Sequence, residues 1–233
     1  MLATLRRDLD AVLARDPAAR SRLEVVLLYP GFHALVMHRI AHALWERGYK
    51  FPARTISALT RTWTNVDIHP GANLGPGLFI DHASGVVIGE TAETGEDVTI
   101  FHGVTLGGRG FDRGKRHPTL GDRVTVGAGA KILGPLFIGD DSRIGANAVV
   151  VKPVPSNSVV VGIPGQVVAR SHPRSKFAKP DLDGSVLPDV LGAGLHTLQS
   201  RLDELEASLV GHVSLSGNRS GQDGSWRGED FSI

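Results

Sequence analysis

The stretch IGETAETGEDVTIFHGVTLGG, residues 88–108, decides the fold. Aliphatic or β-branched residues recur in it every six positions, at Ile88, Thr94, Ile100 and Leu106, and Ala92, Val98 and Val104 each stand four places after one of them. Downstream the step resumes at Leu120, Val126, Ile132, Ile138, Ile144 and Val150, with Val124, Ala130, Leu136, Ser142, Ala148 and Val154 as partners. Upstream it runs Ile68, Leu74, Ile80, with Ala72, Leu78 and Ser84. A six-residue unit cannot bury its own apolar side, so the period requires units to stack as a parallel β-solenoid around one continuous core. Glycine follows the aliphatic position at Gly89, Gly95, Gly107, Gly121, Gly127, Gly139 and Gly145. It suits corners where φ turns positive or backbones crowd, so one short strand and one corner per hexad gives three hexads per triangular turn.

The register breaks twice. Ile80 to Ile88 is eight residues, one hexad plus two, and Leu106 to Leu120 is fourteen, one hexad plus eight. Extra residues leave a solenoid as a loop on one face, commonly the binding face. The larger one, around GGRGFDRGKRHPT, is rich in glycine and basic residues, as a lid over an anion would be.

The 233 residues suffice for one extended domain with flanking elements. A net charge of +1, from 25 basic and 24 acidic residues, gives no general attraction to nucleic acid or an anionic membrane. The absence of cysteine excludes disulfides and thiolate metal sites. The opening MLATLRRDLDAVLARD has no apolar signal core, and no apolar run approaches spanning length. The expectation is a soluble cytoplasmic protein without nucleic-acid or membrane partners.

Ahead of the coil, Leu2, Leu5, Leu9, Val12 and Leu13 predict a helix over 2–15, ended by Asp16-Pro17. Ser21 and Glu24 have capping-box spacing, Tyr29-Pro30-Gly31 breaks that second helix, and an apolar stretch from Phe32 to Trp45 predicts a third, with Gly48 as its stop. Pro52 opens a fourth carrying Ile56, Leu59 and Trp63. After Val154, Pro153, Pro155 and Pro164-Gly165 mark the end of the coil, and 171–185 read as a linker. Leu191, Leu195, Leu198, Leu202, Leu205 and Leu209 then alternate steps of four and three, which fits a short coiled-coil seam and fits equally a helix lying on its own coil. Residues 211–229 read as disordered. The expected division is a helical domain over 1–66, the β-helix over 67–170, and linker, heptad helix and tail over 171–233.

The hexad frame places His82 two residues after Ile80 and His102 two after Ile100, on neighbouring turns about 4.8 Å apart. A histidine on such a coil ordinarily just faces solvent; Asp81 beside it, the register slip after it and the aligned His102 favour His82 as a working imidazole. Asp67, fifteen residues before it, can approach from the turn below and fix its tautomer, or can simply cap the helix-to-coil junction. Arg116-His117 on the ejected loop offers the donors a carboxylate needs, although such basic loops are more often merely solvated. His38 and His42 lack an HExxH glutamate or a third ligand and read as surface residues; His33, Trp45 and Trp63 read as packing. No metal site is expected.

The segments VDIHPGANLG, IDHASGVVIGETA, VTLGG, KRHPTLGD and VGAGAKILG resemble those of serine O-acetyltransferase, from about Asp16 to Val168 and again at the extreme C-terminus. The resemblance implies a mainly β fold, a left-handed parallel β-helix of hexapeptide repeats with a small N-terminal helical domain and a C-terminal helix and tail. It implies transfer of acetyl from acetyl-CoA to the hydroxyl of L-serine, the first step of cysteine biosynthesis. It assigns His82 as general base and Asp67 as its orienting acid; Asp16 and Asp81 to the serine ammonium; Arg116 and His117 to its carboxylate. It offers Thr105, Gly108, Ala128, Lys131 and Ala146 for acetyl-CoA. Its sites form between coils of a homotrimer, and its longer members join two trimers into a hexamer through a larger helical domain than the roughly 65 residues preceding this coil. The final GEDFSI is similar to the tail whose terminal isoleucine, here Ile233, enters the active site of cysteine synthase. Cysteine inhibition is expected.

Three other readings compete: a sugar or antibiotic O-acetyltransferase, which has no use for Asp16, Asp81 and Arg116 around a zwitterion; a zinc hydratase on the same coil with His82, His102 and His117 as ligands; and a non-catalytic scaffold presenting the tail.

Overall fold

A computed structural model describes residues 1–111, 113–170 and 190–216. Its centre is the expected parallel solenoid, three flat faces of five, four and six strands. Strands Val66–Ile68, Val86–Ile88, Thr105–Gly107, Lys131–Leu133 and Val149–Val150 stack on the first face. The pairings Ile68↔Ile88, Ile80↔Ile100 and Ile144↔Val126 keep the hexad positions in register. The six-residue period works because alternate strand residues point inward, and Ile88, Ile100, Leu106, Leu120, Ile132 and Ile138 are fully buried in one column-like core. Each such side chain contributes about 2 kcal/mol by leaving water.

The first register slip changes one expectation. Ser84 is exposed, and Ala83 takes the inward position instead, because two extra residues rotate the corner before Val86 resumes the core. The last turn ends in a strand the period does not predict. Gln166–Arg170 folds back antiparallel on Ser158–Val161 and covers the sheet edge that a solenoid would otherwise leave open.

The helices are α1 (Leu2–Arg15), α2 (Arg22–Leu28), α3 (Pro30–Glu46) and α4 (Lys50–Thr64). The Ser21 side chain accepts from Glu24 N at 3.2 Å, as its spacing requires. Gly48 follows the end of α3 at φ 86. Helix α4 begins two residues before Pro52, and its buried face is Ala53, Ser57, Thr60 and Thr64, while Leu59 and Trp63 are 65% and 69% exposed. Ser57 Oγ donates to the Ile68 carbonyl, so small hydroxyl residues join α4 to the first strand. Trp63 stacks on His33 at 5.0 Å, and Trp45 meets His69 edge-on at 4.9 Å.

Helices and coil belong to one compact unit, Met1–Pro188, and charged side chains lock them together. Asp8 is wholly buried, accepts from Gly77 N at 2.8 Å, and faces Arg39 at 3.3 Å. Arg39 also donates to the carbonyls of Leu74 and Gly75. Arg15 reaches the carbonyls of Gly77 and Val98 and the Asp97 carboxylate. Gly31 lets α3 approach this closely, since a Cβ there would overlap the Ile80 carbonyl. His38 is not a surface residue: it is 4% exposed between α3, α4 and the first strands. Ala72 lies close enough to favour its charged form slightly, yet neither ring nitrogen makes a hydrogen bond of normal geometry, and burial holds its pKa down at about 3. His42 is half-buried, with Nδ1 2.8 Å from the Pro70 carbonyl.

Residues Asp189–Ile233 form a second unit, in which Val190–Ser216 is one helix, α5. The linker at 171–185 and the final GEDFSI lie outside the described residues. No described helix is long and apolar enough to cross a membrane.

Candidate active site

Two clusters stand at two corners of the prism, on opposite edges of its first face. The first comes directly after strand Phe79–Ile80. His82 carries a left-handed backbone, φ 56, as does Ala83 at 59. Asp97, Gly103, Arg123, Gly129 and Asp141 are left-handed at the same corner position as Ala83, so His82 is an added left-handed residue here; the turn leaves the imidazole 75% exposed with Nε2 3.9 Å from Asp81 Oδ2. The His102 ring stands edge-on at 5.9 Å, as the hexad frame requires. Burial raises the Asp81 pKa, and the charge of Asp16 adds to the rise while His82 opposes it. Asp16 itself, just past α1, accepts the phenolic proton of Tyr29 at 2.8 Å. Burial and that bond push the Tyr29 pKa up to about 12. Two carboxylates beside an exposed imidazole give a corner suited to a cationic group next to a base.

Along the same edge, Ala128 and Ala146 occupy the positions of His82 and His102 on later turns. Backbone bonds fix the column: Gly103 N to Ser84 O, Gly129 N to His102 O and Asn147 N to Ala128 O, each 2.8 Å. The edge therefore passes from two imidazoles to two methyl groups, a shallow track on which an extended chain can lie against backbone. Thr105 and Lys131 are paired neighbours on the adjoining face, and Lys131 Nζ donates to the Gly103 carbonyl.

The second cluster is the root of the ejected loop. Arg109 N donates to Arg116 O at 3.0 Å and closes the loop. Thr91 organises the residues at the loop's end: its Oγ accepts from the backbone N of Arg116 and of His117, and its own backbone N donates to His117 Nδ1 at 3.2 Å. A ring whose Nδ1 accepts carries its proton on Nε2, so neutral His117 presents an N–H donor toward Gly89 and Gly108. Burial and the Arg116 charge lower its pKa, which keeps that form. Arg116 pairs with Glu90, and the guanidinium holds the Glu90 carboxyl below its ordinary range.

The structure thus gathers Asp16, Asp81, His82 and His102 at one corner, and Arg116, His117 and Gly108 at another. Within the chain Asp67 pairs with Arg61 at 3.3 Å rather than with His82. It lines a cavity of about 540 Å³ with Arg54, Ser57, Ala58, Arg61, Thr62 and Asn65. Among the described residues no group of three or more His, Cys, Asp or Glu side chains could hold a metal ion. Within the chain the three histidines of the zinc reading do not meet, because His117 stands at the second corner. Sequence reasoning missed Tyr29, read there as a helix break, and Thr91, hidden in the GETA run.

A hexapeptide solenoid with an exposed, acid-flanked imidazole at the head of a small-residue track has the build of an acyltransferase. Comparison with known proteins makes it narrower. A family model described as serine acetyltransferase, N-terminal, matches residues 1–36. The serine acetyltransferase of Mycobacterium tuberculosis is 58% identical over 233 residues, the whole of both chains. A crystal structure of the Neisseria gonorrhoeae enzyme in complex with serine is 45% identical, covers 71% of this chain and 68% of that one, and superposes with a TM-score of 0.69. That of the Brucella abortus enzyme in complex with coenzyme A is 46% identical, with 73% and 68% covered and a TM-score of 0.71. The chain belongs to the serine acetyltransferase family.

Proposed function

We propose that the chain transfers the acetyl group of acetyl-CoA to the Oγ of L-serine, with His82 as general base. The observation that carries this reading is the edge column: an exposed imidazole flanked by Asp81, at the end of a track floored by Ala128 and Ala146. The relatives solved with serine and with coenzyme A support both substrates.

His82 takes the hydroxyl proton as serine oxygen attacks the thioester carbonyl. The resulting oxyanion collapses, the C–S bond breaks, and the imidazolium returns the proton to the departing thiolate, leaving O-acetylserine and CoA. Asp16 and Asp81 hold the serine ammonium, so the base meets its substrate in one orientation. Arg116 and the Nε2–H of His117 hold the carboxylate. These donors stand at the other edge of the first face, so one serine reaches both clusters only between neighbouring coils. That is the reason for proposing a homotrimer whose protomers share each site. Asp67 is the orienting acid of His82; the exposed ring rotates to it when Arg61 releases the carboxylate. Thr105, Gly108, Ala128, Lys131 and Ala146 line the path of acetyl-CoA, the alanines giving room for the pantetheine arm and Lys131 a charge for a phosphate. The tail ending in Ile233 is the segment offered to cysteine synthase.

The test is CoA release from acetyl-CoA with L-serine, homoserine and galactosides as acceptors. Preference for serine that disappears in His82→Ala supports the reading; a preferred sugar overturns it. Stoichiometric zinc in protein purified without chelator defeats the mechanism.

A further inference from the structure

Helix α5 is 27 residues long, about 40 Å at 1.5 Å per residue, and stands in a unit of its own. Leu195, Leu198, Leu202 and Leu205 are 63%, 59%, 57% and 63% exposed. Their steps of three, four and three place all four on one stripe, the a and d positions of two heptads. Residues 195–207 are exposed all round the helix, so four large apolar side chains in a line there are a seam that needs a cover.

The charges say what covers it. With Leu195 and Leu202 at a, Arg201 falls at g and Glu206 at e of the next heptad. In a parallel coiled coil the g residue of one helix faces the e residue five positions on in its neighbour, so Arg201 of one copy meets Glu206 of another. In the antiparallel pairing that aligns the four leucines, Leu195 opposite Leu205 and Leu198 opposite Leu202, g faces g, so Arg201 would meet Arg201 of the other helix and Glu206 would find no basic partner. The pattern is therefore complementary to itself in the parallel sense alone. Equivalent helices of copies arranged around one rotation axis point the same way along that axis, as this pairing demands.

We propose that α5 is a parallel self-association seam, occupied by α5 of the other copies in the oligomer. Three strands follow from the homotrimer proposed above, and to that extent the inference rests on it. The seam adds to the coil a second site of association and ties the C-terminal segments of all copies together at their start.

The chain has no cysteine, which makes the test clean. In the full-length protein, Leu198→Cys puts a thiol in the seam and Ser200→Cys puts one on the opposite face of the same helix. Under mild oxidation the first is expected to give an interchain disulfide at least fivefold more efficiently than the second, with a yield unchanged by tenfold dilution. Adding Arg201→Glu to Leu198→Cys is expected to lower the yield severalfold, and adding Glu206→Arg as well to restore it. Equal yields from the two positions, a yield that falls with dilution, or failure of the double charge exchange to restore it overturns the seam. Sedimentation of the unmodified chain separates the two readings: a trimer without the 198 disulfide sinks the seam alone, and a monomer sinks the trimer and the seam with it.

Discussion

Tyr29 Oη donates to Asp16 Oδ2 at 2.8 Å, tying the break between α2 and α3 to the end of α1. The bond leaves Asp16 Oδ1 accepting from Ala18 N, so the carboxylate is held from both sides before any substrate arrives. A hydrogen bond to a charged acceptor is worth about 1.5 kcal/mol. Tyr29→Phe is therefore expected to raise the KM for serine about tenfold with little change in kcat, measured by CoA release. An unchanged KM would remove Tyr29 from the site.

His82→Ala is expected to lower kcat by at least about a hundredfold at unaltered circular dichroism, since it deletes the proposed base. Asp67→Asn is expected to lose less, because the imidazole remains and only its orientation suffers. Equal losses in the two variants would mean that the imidazole works only when Asp67 holds it.

Gly89 faces the His117 ring, and a Cβ there would overlap it. Gly89→Ala is expected to displace the imidazole from Thr91, raising the KM for serine at least fivefold while costing about 1 kcal/mol of stability. Kinetics and urea denaturation of one preparation check both halves. A large stability loss with normal KM would contradict the placement.

Buried His38 has a folded pKa of about 3, below the ordinary 6.5. The unfolded chain thus binds a proton that the folded one refuses between those values. Stability is full above pH 6.5 and falls toward pH 3, by up to about 1.4 kcal/mol per pH unit from this group. Half-buried His69, held down at about 4, acts in the same direction. His38→Leu is expected to flatten the fall in melting temperature between pH 6.5 and pH 4; an unchanged slope would show that His38 does not carry it.

Asp8→Ala leaves the Arg39 guanidinium, 12% exposed, without its counter-charge. Removing one partner of a buried pair costs about 3 kcal/mol. The midpoint of urea unfolding should fall accordingly; a shift under about 1 kcal/mol would mean that the carbonyls of Leu74 and Gly75 satisfy Arg39 alone.

The coil was legible because its signal is local and repeated. Ile88, Ile100 and Leu106 each report the same inward position, and every further turn repeats the report. The register failed at Ser84 because two inserted residues exchange its place with Ala83, and no count of spacings says which of the two turns inward. The face of α4 was hidden for another reason. Its apolar stripe, Leu59 and Trp63, lies outward, while Ser57 Oγ donates to the Ile68 carbonyl and Thr64 Oγ accepts from Val66 N, bonds to the coil that apolar periodicity cannot detect. The Asp8–Gly77 bond spans 69 residues and leaves no local trace. In the site, the His82–His102 pair followed from the hexad frame. Thr91 did not, since its work is done through backbone amides of Arg116 and His117 that the sequence places 25 and 26 positions away.

With His82 as the proposed base, the left-handed turn at His82 and Ala83 sets catalysis against thermal endurance. A side chain with a Cβ gives up about 1 kcal/mol in that conformation, and glycine would not. His82→Gly should melt at a higher temperature than the parent while being inert. Were selection for the reaction to lapse, the imidazole would be among the first groups that drift could remove at a gain.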